Sequence, residues 1–176
     1  IDGMEAREPA LAPNLVTFRL DALIGLGRHD EILPILNERL KARPHNAGMR
    51  FHRASILLLR EDYREGWQDY AYRNVQGTQY ARMFPFTPWR GESLEDKSLL
   101  IGADQGLGDQ IMFVSCLADV LAMKPSRLVL EASKRIALTL QRSFPDVEVV
   151  ASAQDTSLDW LVGKGQFDFS CLMGDL

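Results

Sequence analysis

Apolar residues recur at helical spacing through the front half of the chain. Leu15, Phe18, Leu20, Leu23, Ile24 and Leu26 fall on one broad face, and Ile32, Leu33, Leu36 and Leu40 fall on the next. Ala54, Leu57 and Leu58 continue the pattern, followed by Tyr63, Trp67, Tyr70 and Ala71. The spacing predicts amphipathic helices joined by short polar turns. The aromatic stripe of Tyr63, Trp67 and Tyr70 is expected as core, because large side chains fill the wedge between stacked helices.

The back half has a different rhythm. Short apolar runs at 98–101, 127–131, 147–150 and 167–170 read as strands, and 110–123 and 134–144 read as helices between them. Alternation of strand and helix implies a parallel, Rossmann-like sheet. Between the halves, residues 77–97 (GTQYARMFPFTPWRGESLEDK) carry Pro85 and Pro88, which block regular helix. Phe84, Phe86 and Trp89 alternate with these prolines, so this linker is expected to pack along the domain junction rather than hang free.

The front half also repeats. A shift of 34 residues sets Gly27 on Glu61, His29 on Tyr63 and Ile32 on Gly66. That is the tetratricopeptide period, and Pro44 closes the first copy where such repeats usually carry proline. The expected fold class is α + α/β: tetratricopeptide-like helical hairpins over 1–76, the linker over 77–97, and a partial Rossmann-like parallel sheet with flanking helices over 98–176.

Bulk properties narrow the function. A chain of 176 residues that is 46% hydrophobic and 25% charged folds as a globular protein. A net charge of −4 gives no reason to expect nucleic acid. Residues 1–90 hold 13 Lys+Arg against 11 Asp+Glu, and residues 91–176 hold 7 against 13, a shift that fits two units. The basic front half reads as a solvated helix surface or as a groove for an acidic protein or peptide partner. No apolar run approaches the ~20 residues of a membrane span, and the opening stretch has no apolar signal core, so a cytoplasmic protein is expected. Cys116 and Cys171 read as separate buried thiols. His29, His45 and His52 form no metal spacing, so no metal is expected.

Candidate chemistry gathers in IGADQGLGDQIMF, residues 101–113. From Gly106 the nucleotide fingerprint GxGxxG is met at Gly106 and Gly108 and fails at Ile111. Glu131, 25 residues after Gly106, stands near where a ribose-binding acid would be. A dinucleotide-binding oxidoreductase fragment is therefore one alternative. A P-loop is excluded, because no Gly-Lys-Ser/Thr follows. Asp109 falls where the first helix of the sheet domain should start. It reads either as an N-cap accepting from free helical amides, or as a base facing a neutral, hydroxyl-bearing molecule. A carboxylate there repels a phosphate seeking the same amides.

The runs EDYREGWQDYAYR, FPFTPWRGESLEDKSLLIGADQGLGDQIMF, RLVLEASKRIALTLQRSFPDVEVVA and FDFSCLMGDL together resemble bacterial tetratricopeptide proteins bearing a glycosyltransferase domain of the heptosyltransferase type. The sharpest points of likeness are Trp89, Gly91 and Leu94 and the run 105–109. The resemblance implies two facing Rossmann-like domains (GT-B type) and transfer of a sugar from a nucleotide-sugar donor to an acceptor hydroxyl without a metal. The expectation of no cofactor comes only with this resemblance, in which the nucleotide sugar is a co-substrate. It implies Asp109 as catalytic base, with Gln105, Gly106, Leu107 and Gly108 against substrate. The donor would be bound mainly by a second domain, so this chain is expected to be an inactive fragment of the enzyme. A non-catalytic protein-interaction module is the alternative from a different class.

Overall fold

The computed structural model describes residues 12–75, 82–153 and 157–176, with backbone only for 12–17. The chain divides into two compact units, one ending at Ala81 and one running from Arg82 to Leu176.

The first unit is helical. Helices α1 (Ala12–Gly25), α2 (Ile32–Ala42), α3 (Ala47–Leu59) and α4 (Tyr63–Tyr70) follow one another, and a 3-10 turn over Ala71–Asn74 closes the series. Leu20, Leu23, Ile32, Leu36 and Ile56 form its core. Asn46 starts α3, its Oδ1 accepting the Met49 amide at 2.9 Å, the expected work of an N-cap asparagine. Gly66 lets α4 lie directly on α3: a Cβ there would stand 2.7 Å from Leu58 Cδ2. Asp69, 1% exposed, accepts from Arg50 Nη1 at 2.6 Å and from Arg53 Nε at 2.5 Å, so one buried carboxylate ties α4 to two residues of α3.

The 34-residue offset is visible in the backbone. Gly27 (φ 67°) and Glu61 (φ 64°) are both left-handed. Gly27 N–H donates to Ile24 O and Arg28 N–H to Leu23 O; Glu61 N–H donates to Leu58 O and Asp62 N–H to Leu57 O, the same pair of bonds shifted by one period. These are equivalent helix C-caps of the left-handed kind. The aromatic stripe is a correction. Tyr70 is buried and meets Trp67 edge-on at 5.2 Å, but Trp67 is 44% and Tyr63 55% exposed. The apolar face of α1 is also narrower than its periodicity predicts, since Phe18, Ile24 and Leu26 are exposed. Periodicity places residues on a common face and leaves open how much of that face a neighbour covers.

The second unit is a five-stranded sheet in the order β1-β5-β2-β3-β4, with every pair parallel. Its strands are β1 (Thr87–Pro88), β2 (Ser98–Gly102), β3 (Arg127–Ser133), β4 (Glu148–Ser152) and β5 (Phe169–Leu172). Helices α5 (Leu107–Phe113) and α6 (Leu117–Ala122) connect β2 to β3, and α7 (Ala137–Ser143) connects β3 to β4. Mixed helix and parallel sheet is the α/β architecture expected. Leu99, Leu100, Ile101, Val129 and Leu130 are wholly buried, which is why the strands read as unbroken apolar runs.

From Arg82 onward, the stretch expected as linker belongs to this unit. Phe84 and Phe86 pack with Trp160 and Leu161 on Leu100, Val129 and Phe167. Pro88 sits at the sheet edge, where a missing N–H costs nothing, and Trp89 N–H continues the ladder to Ser170 O at 2.8 Å. Residues 77–81 of that stretch lie outside the described residues.

Candidate functional site

Strand order makes one position special. From β2 the chain proceeds outward to β3 and β4, then returns to β5 on the other side of β2. The carboxyl ends of β2 and β5 therefore flank the topological switch point, where open parallel sheets hold ligands. Gly102 and Leu172 are paired there, and the loops 103–106 and 173–175 leave from them.

The β2 loop turns sharply. Ala103 and Asp104 are buried, and Gln105 takes φ 51°, a left-handed conformation uncommon for a residue with a side chain. Gly106 is the N-cap of α5, extended at φ −86°, ψ 174°. This corrects the expectation for Asp109, which is the third helical residue and not the cap. Its Oδ2 accepts the Gly106 N–H at 2.9 Å, the reaching-back half of a capping box. Asp109 stays half-exposed. The β5 loop repeats the device, Asp175 Oδ2 accepting the Leu172 N–H at 3.0 Å.

The three glycines do different things. A Cβ on Gly102 would collide with the Phe84 ring and stand 3.0 Å from Leu172 Cδ2, so this glycine exists for packing. On Gly106 it would stand 3.0 Å from Asp109 Oδ2 and crowd the capping bond. Gly108 meets nothing within 4 Å and is exposed. A glycine inside a helix costs about 0.5–1 kcal/mol relative to alanine, and no packing among the described residues requires this one. Leu107 and Gln105 lie half-buried on either side of Gly106.

Behind the loop lies a buried ion pair that sequence reading missed. Glu131, on β3, is fully buried. Its Oε2 accepts from Arg82 Nη1 at 2.7 Å and from the Ala103 N–H at 2.8 Å, and its Oε1 accepts from Arg82 Nη2 at 3.0 Å and from the Ser152 hydroxyl. Arg82 Nη1 also donates to Ala103 O at 3.0 Å. Four donors and complete burial leave Glu131 nothing for a ribose hydroxyl, so the acid that seemed placed for a dinucleotide is a structural one. The available signal was a charge inside an otherwise apolar strand, which is rarely buried unless paired. On the far side of the loop, Gln110, also fully buried, accepts the Ser133 N–H at 3.0 Å.

The site can be set beside known proteins. Over 109 residues the chain is 40% identical to Protein FlbA of Caulobacter vibrioides, a stretch covering 60% of this chain and 18% of that protein. The chain thus spans less than a fifth of that relative's length. No protein-family model matches the chain. No solved structure matches it either. These findings overturn the resemblance to tetratricopeptide proteins with a heptosyltransferase-like domain, because the similarity that exists points to a different family. The reason is physical: apolar helices at a 34-residue period and a glycine-rich strand-to-helix turn are solutions to packing that unrelated families share. Among the described residues, no helix is long and apolar enough to cross a membrane.

Proposed function

We propose that the α/β unit binds a hydroxyl-bearing molecule at the switch point between β2 and β5, and that Asp109 accepts the proton of the hydroxyl as it attacks. The hydroxyl oxygen would bond to the anomeric carbon of a nucleotide sugar as that carbon's bond to the nucleoside diphosphate breaks, the diphosphate leaving as the anion. The neutral ligand and the base follow from the chemistry of the loop, whereas the sugar donor is carried over from the expectation the sequence raised, as the reaction to test. The observation that carries the reading of the loop is Gly108. An exposed glycine in the first turn of a helix, with no neighbour that needs it, leaves the backbone open to close approach. Asp109 beside it spends one carboxylate oxygen on Gly106, and its partial exposure lets a ligand reach the carboxylate. Carboxylates on both loops disfavour an incoming phosphate and suit a neutral partner.

The test has two arms. Titration of the chain with neutral hexoses should shift the amide resonances of Gly106, Gly108 and Asp109. Any transfer the chain shows over a panel of nucleotide sugars should fall by ~10²–10⁴-fold in Asp109→Asn, the range for loss of a general base. Asparagine still accepts the Gly106 N–H, so stability should hold. Silence in both arms, or a variant that keeps more than about a tenth of the activity, sinks the reading.

A second reading concerns the helical unit. Phe18, Tyr63 and Trp67 are 69%, 55% and 44% exposed. Together with the basic residues of this half, these side chains suit a helical unit that binds an acidic, partly apolar peptide. Trp67→Ser should weaken such binding, and equal binding by the variant excludes this surface.

A further inference from the structure

We propose that Arg82 and Glu131 are the positioning residues of the β2 loop, an inference that rests on the reading of Asp109 above. Ala103 is the first residue after β2, and both of its backbone groups are held by this pair. Its N–H goes to Glu131 Oε2 at 2.8 Å and its C=O accepts from Arg82 Nη1 at 3.0 Å. The pair is itself locked by the two-pronged contact between guanidinium and carboxylate, by the Ser152 hydroxyl, and by the Phe84 ring 5.6 Å from Arg82 Cζ. A forked pair of this kind fixes direction as well as distance. At the other end, Gln110 is anchored to the Ser133 N–H.

The segment between Ala103 and Gln110 is therefore pinned at both ends from beneath. Between those anchors Gly106 and Gly108 are exposed, and a Cβ on Gly108 would meet no described atom within 4 Å. An ordinary strand-to-helix turn needs no buried arginine to hold its first peptide. Fixing that peptide fixes where Gly106 N–H points, and so where the Asp109 carboxylate that accepts it stands. Groups that act on a bound molecule must be held to a fraction of an ångström by their supporting residues, and the pair supplies this from two different strand-side elements. Arg82 and Glu131 do not touch the ligand in this arrangement; they act through Ala103.

The test uses the whole ¹⁵N-labelled chain and Arg82→Lys, which keeps the charge and loses the fork. Amide exchange at Ala103 and Gly106 should speed up by ~10-fold or more, and the Gly106 resonance should move, while Leu130 and Val149 in the neighbouring strands keep their protection. Equal acceleration across β2, β3 and β4 would show that the pair merely holds the sheet, and unchanged exchange at Ala103 and Gly106 would show that the loop is held otherwise; either overturns the proposal. If Arg82→Lys does not fold, the uncharged double variant Arg82→Gln with Glu131→Gln carries the same readout. None of this needs a ligand, so it fails separately from the proposed function. If the wild type responds to a hexose, the variant's affinity should drop by ~10-fold or more, and an unchanged response with a displaced loop would overturn the positioning role.

Discussion

Each unit contains a buried carboxylate paired with arginine, and the two are used differently. Asp69 in the helical unit binds two arginine side chains of α3 and so joins helix to helix. Glu131 in the α/β unit binds an arginine and a main-chain amide, and through Arg82 a main-chain carbonyl, so it joins sheet to loop. The arginines on Asp69 are 22% and 18% exposed, whereas Arg82 is 11% exposed. Carboxylate–arginine chemistry thus serves two ends. In one unit it sets the packing of elements that would adjoin anyway, and in the other it sets the path of a backbone with no secondary structure to guide it.

The largest expected effect tests this difference directly. Glu131→Ala leaves Arg82 charged, buried and without its partner, a loss of ~3–5 kcal/mol. Asp69→Ala leaves two arginines that already reach water, and should cost ~1.5–3 kcal/mol, the scale of charged hydrogen bonds. Site-resolved amide exchange reports each unit on its own. Equal losses in the two units would remove the distinction.

Next come the close-approach glycines. Gly102→Ala drives a methyl into the Phe84 ring and against Leu172, and should cost ~1–3 kcal/mol as an overpacked core does. Gly66→Ala meets Leu58 Cδ2 at 2.7 Å, its Cγ at 2.9 Å and its backbone N at 3.3 Å, and a gain of ~1 kcal/mol in helix propensity offsets part of that crowding. The net loss there should be smaller than at Gly102. Urea midpoints of the two variants decide it, and a Gly66→Ala loss as large as that of Gly102→Ala would mean that α4 cannot yield at all.

These cases also show what could be read in advance. The strands were legible because a parallel sheet covered on both faces demands continuous apolar runs, and 98–101 and 127–131 are such runs. The start of α5 was not legible: glycines at 106 and 108 look like loop, yet Gly108 is helical. The sequence left Asp109 open between cap and base, and as a cap it was misplaced by three positions. An acid beside glycines signals a helix start without saying whether it caps the N2 and N3 amides or reaches back from the third position to the amide of the cap residue. Arg82 was invisible, since its partner lies 49 residues away and no local pattern connects them. Tyr63 and Trp67 misled because spacing encodes a face and not its cover.

The two left-handed turns allow a smaller and sharper comparison within the helical unit. Gly27→Ala adds a methyl with nothing within 4 Å, so its only cost is the left-handed backbone, ~1–2 kcal/mol before the ~0.4–1 kcal/mol returned by a stiffer unfolded chain. Glu61→Gly, at the equivalent position, relieves that strain and adds ~0.5–1 kcal/mol of flexibility cost. The first should destabilise by about 1 kcal/mol and the second should be neutral or stabilising. Thermal melts of opposite sign would confirm that the positions are equivalent; equal signs would mean that one side chain has a further role.

Asp168 gives the smallest effect and separates exposure from partner number. It accepts from Ser98 N–H at 2.9 Å, from Ser98 Oγ at 2.7 Å and from Lys97 Nζ at 3.4 Å, joining the starts of β2 and β5. The Ser98 amide and hydroxyl, followed by Lys97, lower its carboxyl to about 2. It has almost as many partners as Glu131, but it is 40% exposed, and solvent screens it. A carboxyl lowered in the folded state stabilises above its unfolded value of ~3.9 and loses that contribution as pH falls through the folded value. Asp168→Asn should therefore lower the melting temperature slightly at pH 6, and the gap from wild type should close as pH drops from about 4 toward 2. A gap that persists unchanged to pH 3 would mean that the shape of the side chain, and not its charge, joins the two strands.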